Sequence, residues 1–324
     1  MDENNRFTRM LGRSQIAVSA LGLGCWAIGG PFWRDDQPVG WGNVNDSESV
    51  AAIHRALELG INFFDTASVY GCGHSERILG KALAGRREQV VIATKFGQVF
   101  EEETRQTRGY DTSPEHVCTS CENSLRRLNV DYIDLFQLHV KEVELDKALS
   151  IRDALERLVD QGKIRYYGWS TDDPRSSRFF AQGPHCTAIQ QQLNLFEGNR
   201  ETLAVCEEFN LASINRGPLG MGLLTGKFTV DSQIGADDVR SRRPAFKEDR
   251  ETRLAKLEKV RHILAEDGRT LAQGALGWLW ALSGMTIPIP GFKTVRQIEE
   301  NAGAMRFGPL SPEQMARISS ALAG

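Results

Sequence analysis

Residues 61–70 read INFFDTASVY, an apolar run fit for a buried strand that closes on Asp65 and is followed five residues later by Tyr70. A carboxylate is costly to bury without a partner, so its position raises the question of what stands beside it. The same kind of run recurs along the chain: VVIATK (90–95), YIDLFQLH (132–139), IRYYGWS (164–170), TAIQQQ (187–192), LASIN (211–215) and MTIPIP (285–290). Amphipathic stretches lie between them, among them SESVAAIHRALELG, SPEHVCTSCENSLRRL and RTLAQGALGWLWALS. Several open at a Ser, Asp or Asn cap and several end at Gly. With VSALGLG (18–24) as the first, the strands number eight, each short and nearly continuously apolar, as a parallel sheet covered by helices requires. No Pro/Ser-rich linker or shift of composition divides them. The pattern predicts one α/β domain over residues 1–324, a single (β/α)8 TIM barrel with long loops at its C-terminal face.

Composition narrows the function. The 324 residues are 41% hydrophobic and 25% charged, which supports a large core, and the net charge of −3 comes from interspersed signs. That is not the footprint of a nucleic-acid or membrane-surface binder. The opening MDENNRFTRM lacks a leader's apolar core and no run reaches the roughly 18 apolar residues of a span, so a cytoplasmic protein acting on small molecules is expected. A homo-oligomer is left open. Six scattered cysteines read as reduced core residues, and the Cys118/Cys121 pair has no second pair to complete a zinc site. The rival fold is a doubly wound sheet, since Gly22-x-Gly24-x-x-Ala27 matches a dinucleotide fingerprint. That fingerprint needs a helix directly after the glycines, and IGGPFW breaks one.

In a barrel, polar residues at strand C-termini are the candidates for chemistry. Asp65, Lys95 and His139 end three strands, and Tyr70 lies in the loop after Asp65. Each has a bland reading: a turn former, a snorkelling ammonium, a core imidazole, a packed ring. Together they suit proton transfer to a carbonyl oxygen. Asp65 would hold Lys95, the Lys95 ammonium would lower the phenol pKa of Tyr70, and His139 would complete the set. Two long segments, Gly97–Ser113 and about 229–248, follow strands and are read as functional loops at the same face.

The motifs GLGCWAIGG (22–30), GINFFDTASVYGCGHSERILGKAL (60–83), VVIATKFG (90–97), YIDLFQLH, IRYYGWS, GPLGMGLLTGKF (217–228) and PIPGFKTVRQIEEN (288–301) resemble the aldo-keto reductase superfamily from about Leu21 to Met305. The resemblance implies a barrel that binds NADPH without a Rossmann domain and a catalytic tetrad of Asp65, Tyr70, Lys95 and His139. It also implies cofactor contacts. Trp26 would stand at the site, and Ser170 and Gln190 would meet the nicotinamide carboxamide. Arg216 with Gly217, Pro218, Leu219, Gly220 and Gly222 would run along the pyrophosphate. Lys293 and Thr294 would take the adenosine 2′-phosphate, with Gln297, Glu300 and Asn301 around the adenine. One departure is Thr171, where many members carry Asn after the serine. The implied activity is reduction of an aldehyde, ketone or ketosugar. The alternatives are a cofactor-sensing regulatory subunit of the same fold and a metal-dependent barrel hydrolase built on His139.

Overall fold

The computed structural model describes residues 7–323, so residues 1–6 of the polar opening segment lie outside the described residues. Eight strands form one parallel sheet in sequence order: β1 (Leu23–Gly24), β2 (Phe63–Asp65), β3 (Val91–Phe96), β4 (Ile133–Leu138), β5 (Ile164–Ser170), β6 (Cys186–Gln192), β7 (Ala212–Arg216) and β8 (Thr286–Pro288). The sheet closes on itself where the Gly22 and Gly24 amides donate to the Pro288 and Pro290 carbonyls at 3.0 and 3.1 Å. A Cβ at Gly24 would sit 2.7 Å from the Ile289 carbonyl oxygen, so this glycine serves barrel closure. Only a three-residue turn, Ala27–Gly29, follows, and the dinucleotide fingerprint has no helix to act through.

Helices connect the strands: α1 (Asp46–Glu58), α2 (His74–Ala82), α3 (Pro114–Leu128), α4 (Leu145–Asp160), α5 (Pro174–Phe180), α6 (Arg200–Glu208), α7 (Arg250–Leu264) and α8 (Leu271–Leu282), with α9 (Val295–Gly303) and α10 (Pro312–Ala323) after the last strand. Local chemistry sets their ends. Ser113 accepts the His116 amide ahead of Pro114, and Thr270 and Gln273 cap α8 reciprocally.

Strand alternation sorts side chains into two cores. Phe63, Val91, Ala93, Leu135, Ala212 and Ile214 point into the barrel, while Phe64, Ile92, Phe136 and Leu138 face the helices. At the C-terminal ends the inward parity passes to polar groups, and Asp65, Lys95, Ser170, Gln190 and Arg216 all fall on it.

Three features differ from the sequence reading. VSALGLG is not one strand: Ala17–Ser19 pairs antiparallel with Thr8–Met10, and this hairpin's Leu11, Ile16 and Val18 join the barrel interior as its floor. The Gly97–Ser113 segment is not an open loop. Gln98–Glu101 and Gln106–Tyr110 pair as a hairpin, and Trp33 of the first loop pairs with Gln106, making a four-stranded sheet with Gln37–Pro38. The segment around 229–248 contains two short 3-10 turns and is tied to the first loop by the Val239 amide on the Gly40 carbonyl at 2.8 Å.

Candidate active site

Asp65 ends β2, and Lys95 stands on the inward face of the adjacent strand β3; both are buried. All three ammonium protons have an acceptor: Asp65 Oδ1 at 2.5 Å, the Thr66 carbonyl at 2.7 Å and the Tyr70 hydroxyl at 3.4 Å. The second carboxylate oxygen accepts from Gln137 Nε2 at 3.0 Å and Gln190 Nε2 at 2.8 Å. Asp65 is thus the hub of a closed network, which is what a buried charge needs to be tolerated. Tyr70 is half-buried, its ring stacked on Trp26 at 5.9 Å and edge-on to the His139 ring at 5.9 Å. The four residues singled out from sequence are brought together.

Burial pushes the Tyr70 phenol above its ordinary value; Lys95 opposes this and does not overcome it. The sequence expectation had the ammonium winning. Desolvation outweighs it, so the phenol keeps its proton at neutral pH. For Lys95 the balance reverses: burial disfavours the ammonium, but Asp65 and Tyr70 together raise its pKa. His139 lies well below the ordinary histidine value, through burial first and then the cations of Lys95, Arg216 and Arg34.

The positions assigned to a cofactor are placed as follows. Trp26 donates its indole N–H to the Val39 carbonyl at 3.2 Å and stacks on Tyr70. Ser170 is buried at the end of β5. Thr171, the departure from the family pattern, donates its hydroxyl to the Lys141 carbonyl at 3.0 Å and so ties the strand end to the β4 loop. The Gln190 amide nitrogen is committed to Asp65, which leaves its oxygen as the group free to accept. Arg216 pairs with Asp172 and bonds Gln192 Oε1 at 2.9 Å. Beyond it Gly217, Gly220 and Gly222 all have positive φ, and the loop coils tightly around the buried Pro218 and Leu219.

At the other end Thr294 caps α9 by accepting the Gln297 amide at 3.3 Å, and Gln297 Oε1 accepts the Lys293 amide at 2.7 Å. The Lys293 ammonium donates to the Trp41 and Asn43 carbonyls at 2.6 and 3.1 Å. The Val295 amide is taken by Glu48 Oε1 at 2.9 Å, so a carboxylate covers part of the α9 N-terminus. Glu300 gives its carbonyl to Gln273, and Asn301 is buried.

The model of the aldo/keto reductase family matches residues 20–323. The chain belongs to this family. Among its relatives, a probable aldo-keto reductase from Glycine max is 30% identical over 96% of this chain and 88% of its own length. A glycerol dehydrogenase structure from Gluconobacter oxydans superposes with a TM-score of 0.84 at 33% identity, covering 98% of this chain and 95% of that one. An aldo/keto reductase from Klebsiella pneumoniae, solved in complex with NADP and acetate, has a TM-score of 0.71 at 25% identity, with the same coverages of 98% and 95%.

In this aldo/keto reductase several residues of the site escaped the sequence reading. Gln137 shares the inward face of β4 with Leu135, two residues before His139, and a polar residue on that parity of an apolar strand was the available signal. Lys227, exposed beside Gly222, adds a cation at the loop after β7, and partial desolvation, with the Arg240 charge nearby, lowers its pKa. His74, at the start of α2, bonds Asp46 Oδ1 at 2.9 Å. Among the described residues no group of three or more His, Cys, Asp and Glu lies together as a metal site, and no helix is long and apolar enough to cross a membrane.

Proposed function

We propose that the protein is an NADPH-dependent reductase of an aldehyde, ketone or ketosugar carbonyl, with the whole chain acting as one barrel unit and Tyr70 as the general acid. The observation that carries this reading is the Lys95 ammonium shared between the Asp65 carboxylate and the Tyr70 hydroxyl. A phenol kept protonated by burial, yet touching an ammonium, is a proton donor whose conjugate base is stabilised the moment it forms. Asp65 holds Lys95 charged and aimed. As negative charge grows on the carbonyl oxygen, Tyr70 releases its proton and Lys95 stabilises the phenolate. His139, edge-on to Tyr70, offers the oxygen a second hydrogen bond. The reverse oxidation uses the same groups.

The residues fit a dinucleotide phosphate. Arg216, Lys227 and Lys293 supply cations, the left-handed glycines after β7 permit close backbone approach, and Ser170 with the Gln190 oxygen suits an amide. Bound nicotinamide would supply the hydride to the carbonyl carbon. The Klebsiella relative's NADP complex supports this choice of cofactor.

The test is a fluorescence titration of NADPH against NADH, followed by turnover on a carbonyl panel that includes the oxidised forms of glycerol, because a structural relative is a glycerol dehydrogenase. NADPH should bind more tightly. Tyr70→Phe should lower turnover by about 10²- to 10⁴-fold with NADPH binding retained. Failure of both cofactors to bind below millimolar concentration would end the reading, and binding without turnover on any carbonyl would favour a cofactor-sensing role.

A further inference from the structure

One polar chain at the barrel mouth lies outside the Asp65, Lys95 and Tyr70 group. It starts at Arg34 in the first loop, passes through Gln98 at the start of the hairpin that follows β3, and ends on the imidazole of His139. Arg34 Nη2 donates to Gln98 Oε1 at 3.1 Å, Arg34 Nε donates to Thr107 Oγ1 at 3.2 Å, and Gln98 Nε2 lies 3.3 Å from His139 Nδ1. We propose that Gln98, oriented by Arg34, is a positioning residue that holds His139 in the tautomer with its proton on Nε2, so that this N–H is the group presented to the reacting oxygen. The place of His139 at that oxygen rests on the reductase reading; the tautomer itself does not.

The chain has a direction because its first member has only one. A guanidinium carries donors and no acceptor, and it keeps its charge at any working pH. The atom of Gln98 that faces Arg34 must therefore be the amide oxygen. The other end of the amide is then NH2, a donor, and it can meet Nδ1 only as a lone pair. A neutral ring whose Nδ1 accepts carries its proton on Nε2. Turning the amide over would aim N–H at N–H on the Arg34 side. Protonating the ring would do the same on the His139 side, in a setting where Lys95, Arg216 and Arg34 already oppose the charge.

The scaffold matches this role. Arg34 and Gln98 come from different loops, and the small sheet joins those loops: the Trp33 amide donates to the Arg105 carbonyl at 2.9 Å, and Trp33 pairs with Gln106. His139 is fixed from below by its own amide on the Phe96 carbonyl at 2.8 Å. Ring, amide and guanidinium are thus each held on hydrogen-bonded backbone, which is what setting a tautomer requires.

The experiment is ¹⁵N NMR of the histidine rings in the full-length protein, with His139 assigned by its loss in His139→Gln, alongside steady-state kinetics. The wild-type His139 ring should show the Nε2-protonated pattern at neutral pH. Gln98→Glu keeps the shape but turns an obligate donor into an acceptor, so the proton should move to Nδ1. Turnover should then fall by on the order of 10²-fold while NADPH affinity is unchanged. Arg34→Met should release the amide and give a mixture of tautomers. A wild-type ring protonated on Nδ1, or on both nitrogens, would overturn the proposal without any variant having to fold. So would an Nε2 pattern that survives Gln98→Glu. A tautomer that switches as expected in a protein with no carbonyl turnover would support the positioning role and sink the reductase reading instead.

Discussion

Two neighbouring residues of β3 each serve a buried carboxylate, on opposite sides of the sheet. Thr94 faces outward and donates to Glu76 at 2.6 Å, and Glu76 also accepts from Arg127 at 2.6 Å. Lys95 faces inward and donates to Asp65 at 2.5 Å. Glu76 and Asp65 are equally withdrawn from water. The difference lies in what the cation does next. Arg127 turns to a second carboxylate, Glu102, and its guanidinium lies over the Phe100 ring, so that network ends in structure. Lys95 spends its last proton on Tyr70, a half-buried hydroxyl at the barrel mouth. Burying an ion pair is weak evidence for either stability or function. A pair with one donor left over, aimed at a partly open titratable group, is the arrangement chemistry needs.

The largest effect should come from Lys95→Met, which acts on both fronts. Asp65 would keep only Gln137 and Gln190, and breaking a buried pair from one side costs about 3–5 kcal/mol. Tyr70 would lose the cation that stabilises its phenolate, and turnover should fall by about 10²- to 10⁴-fold. Chemical denaturation and steady-state kinetics measure the two separately. Arg127→Met is the matched control on the other face. Glu76 keeps Thr94 but loses its cation, so a destabilisation of about 3 kcal/mol is expected, with turnover close to wild type below the unfolding transition. A drop in turnover comparable to that of Lys95→Met would erase the distinction between the two faces.

The same distinction explains what was legible in the sequence. Runs such as VVIATK and YIDLFQLH are apolar enough to mark barrel strands, and a charged residue at the end of one stands out against them, so Asp65, Lys95 and His139 were readable. Gln137 was hidden because an uncharged amide inside such a run draws no notice until alternation assigns it to the interior. The hairpin Gln98–Tyr110 was hidden because its sequence, QVFEEETRQTRGY, is polar on both faces and gains its order from pairing with Trp33, some 70 residues earlier. α5 has seven residues, too few to show a period. α7 buries only Leu257, Val260, Ile263 and Leu264 near its end, so its charged first turns carry no apolar stripe to mark them. The direction of the Tyr70 pKa was misjudged for a related reason: a neighbouring charge can be guessed from sequence, whereas the burial that outweighs it cannot.

A smaller effect, in pH, separates the inward cluster further. Burial, with Lys95, Arg216 and Arg34, keeps His139 well below the ordinary histidine value, so in the native state the ring stays neutral through the range where an unfolded histidine gains a proton, about pH 6.5. As pH falls, the unfolded chain binds that proton first. The contribution is therefore fully present above about pH 6.5 and is lost as pH falls toward the depressed native value. Lys95 runs the opposite way: its raised pKa gives a contribution present below the ordinary lysine range and lost as pH rises through the native value. Denaturant unfolding of wild type and His139→Gln at pH 7 and pH 5 should then show wild type losing more stability on acidification. The margin should be smaller than either ion-pair effect, because the His139 ring is only half-buried. Turnover of wild type should likewise show no inflection near pH 6.5. An inflection there, together with equal acid sensitivity in the two proteins, would mean that His139 titrates like an exposed histidine and that the cations around it do not reach its ring.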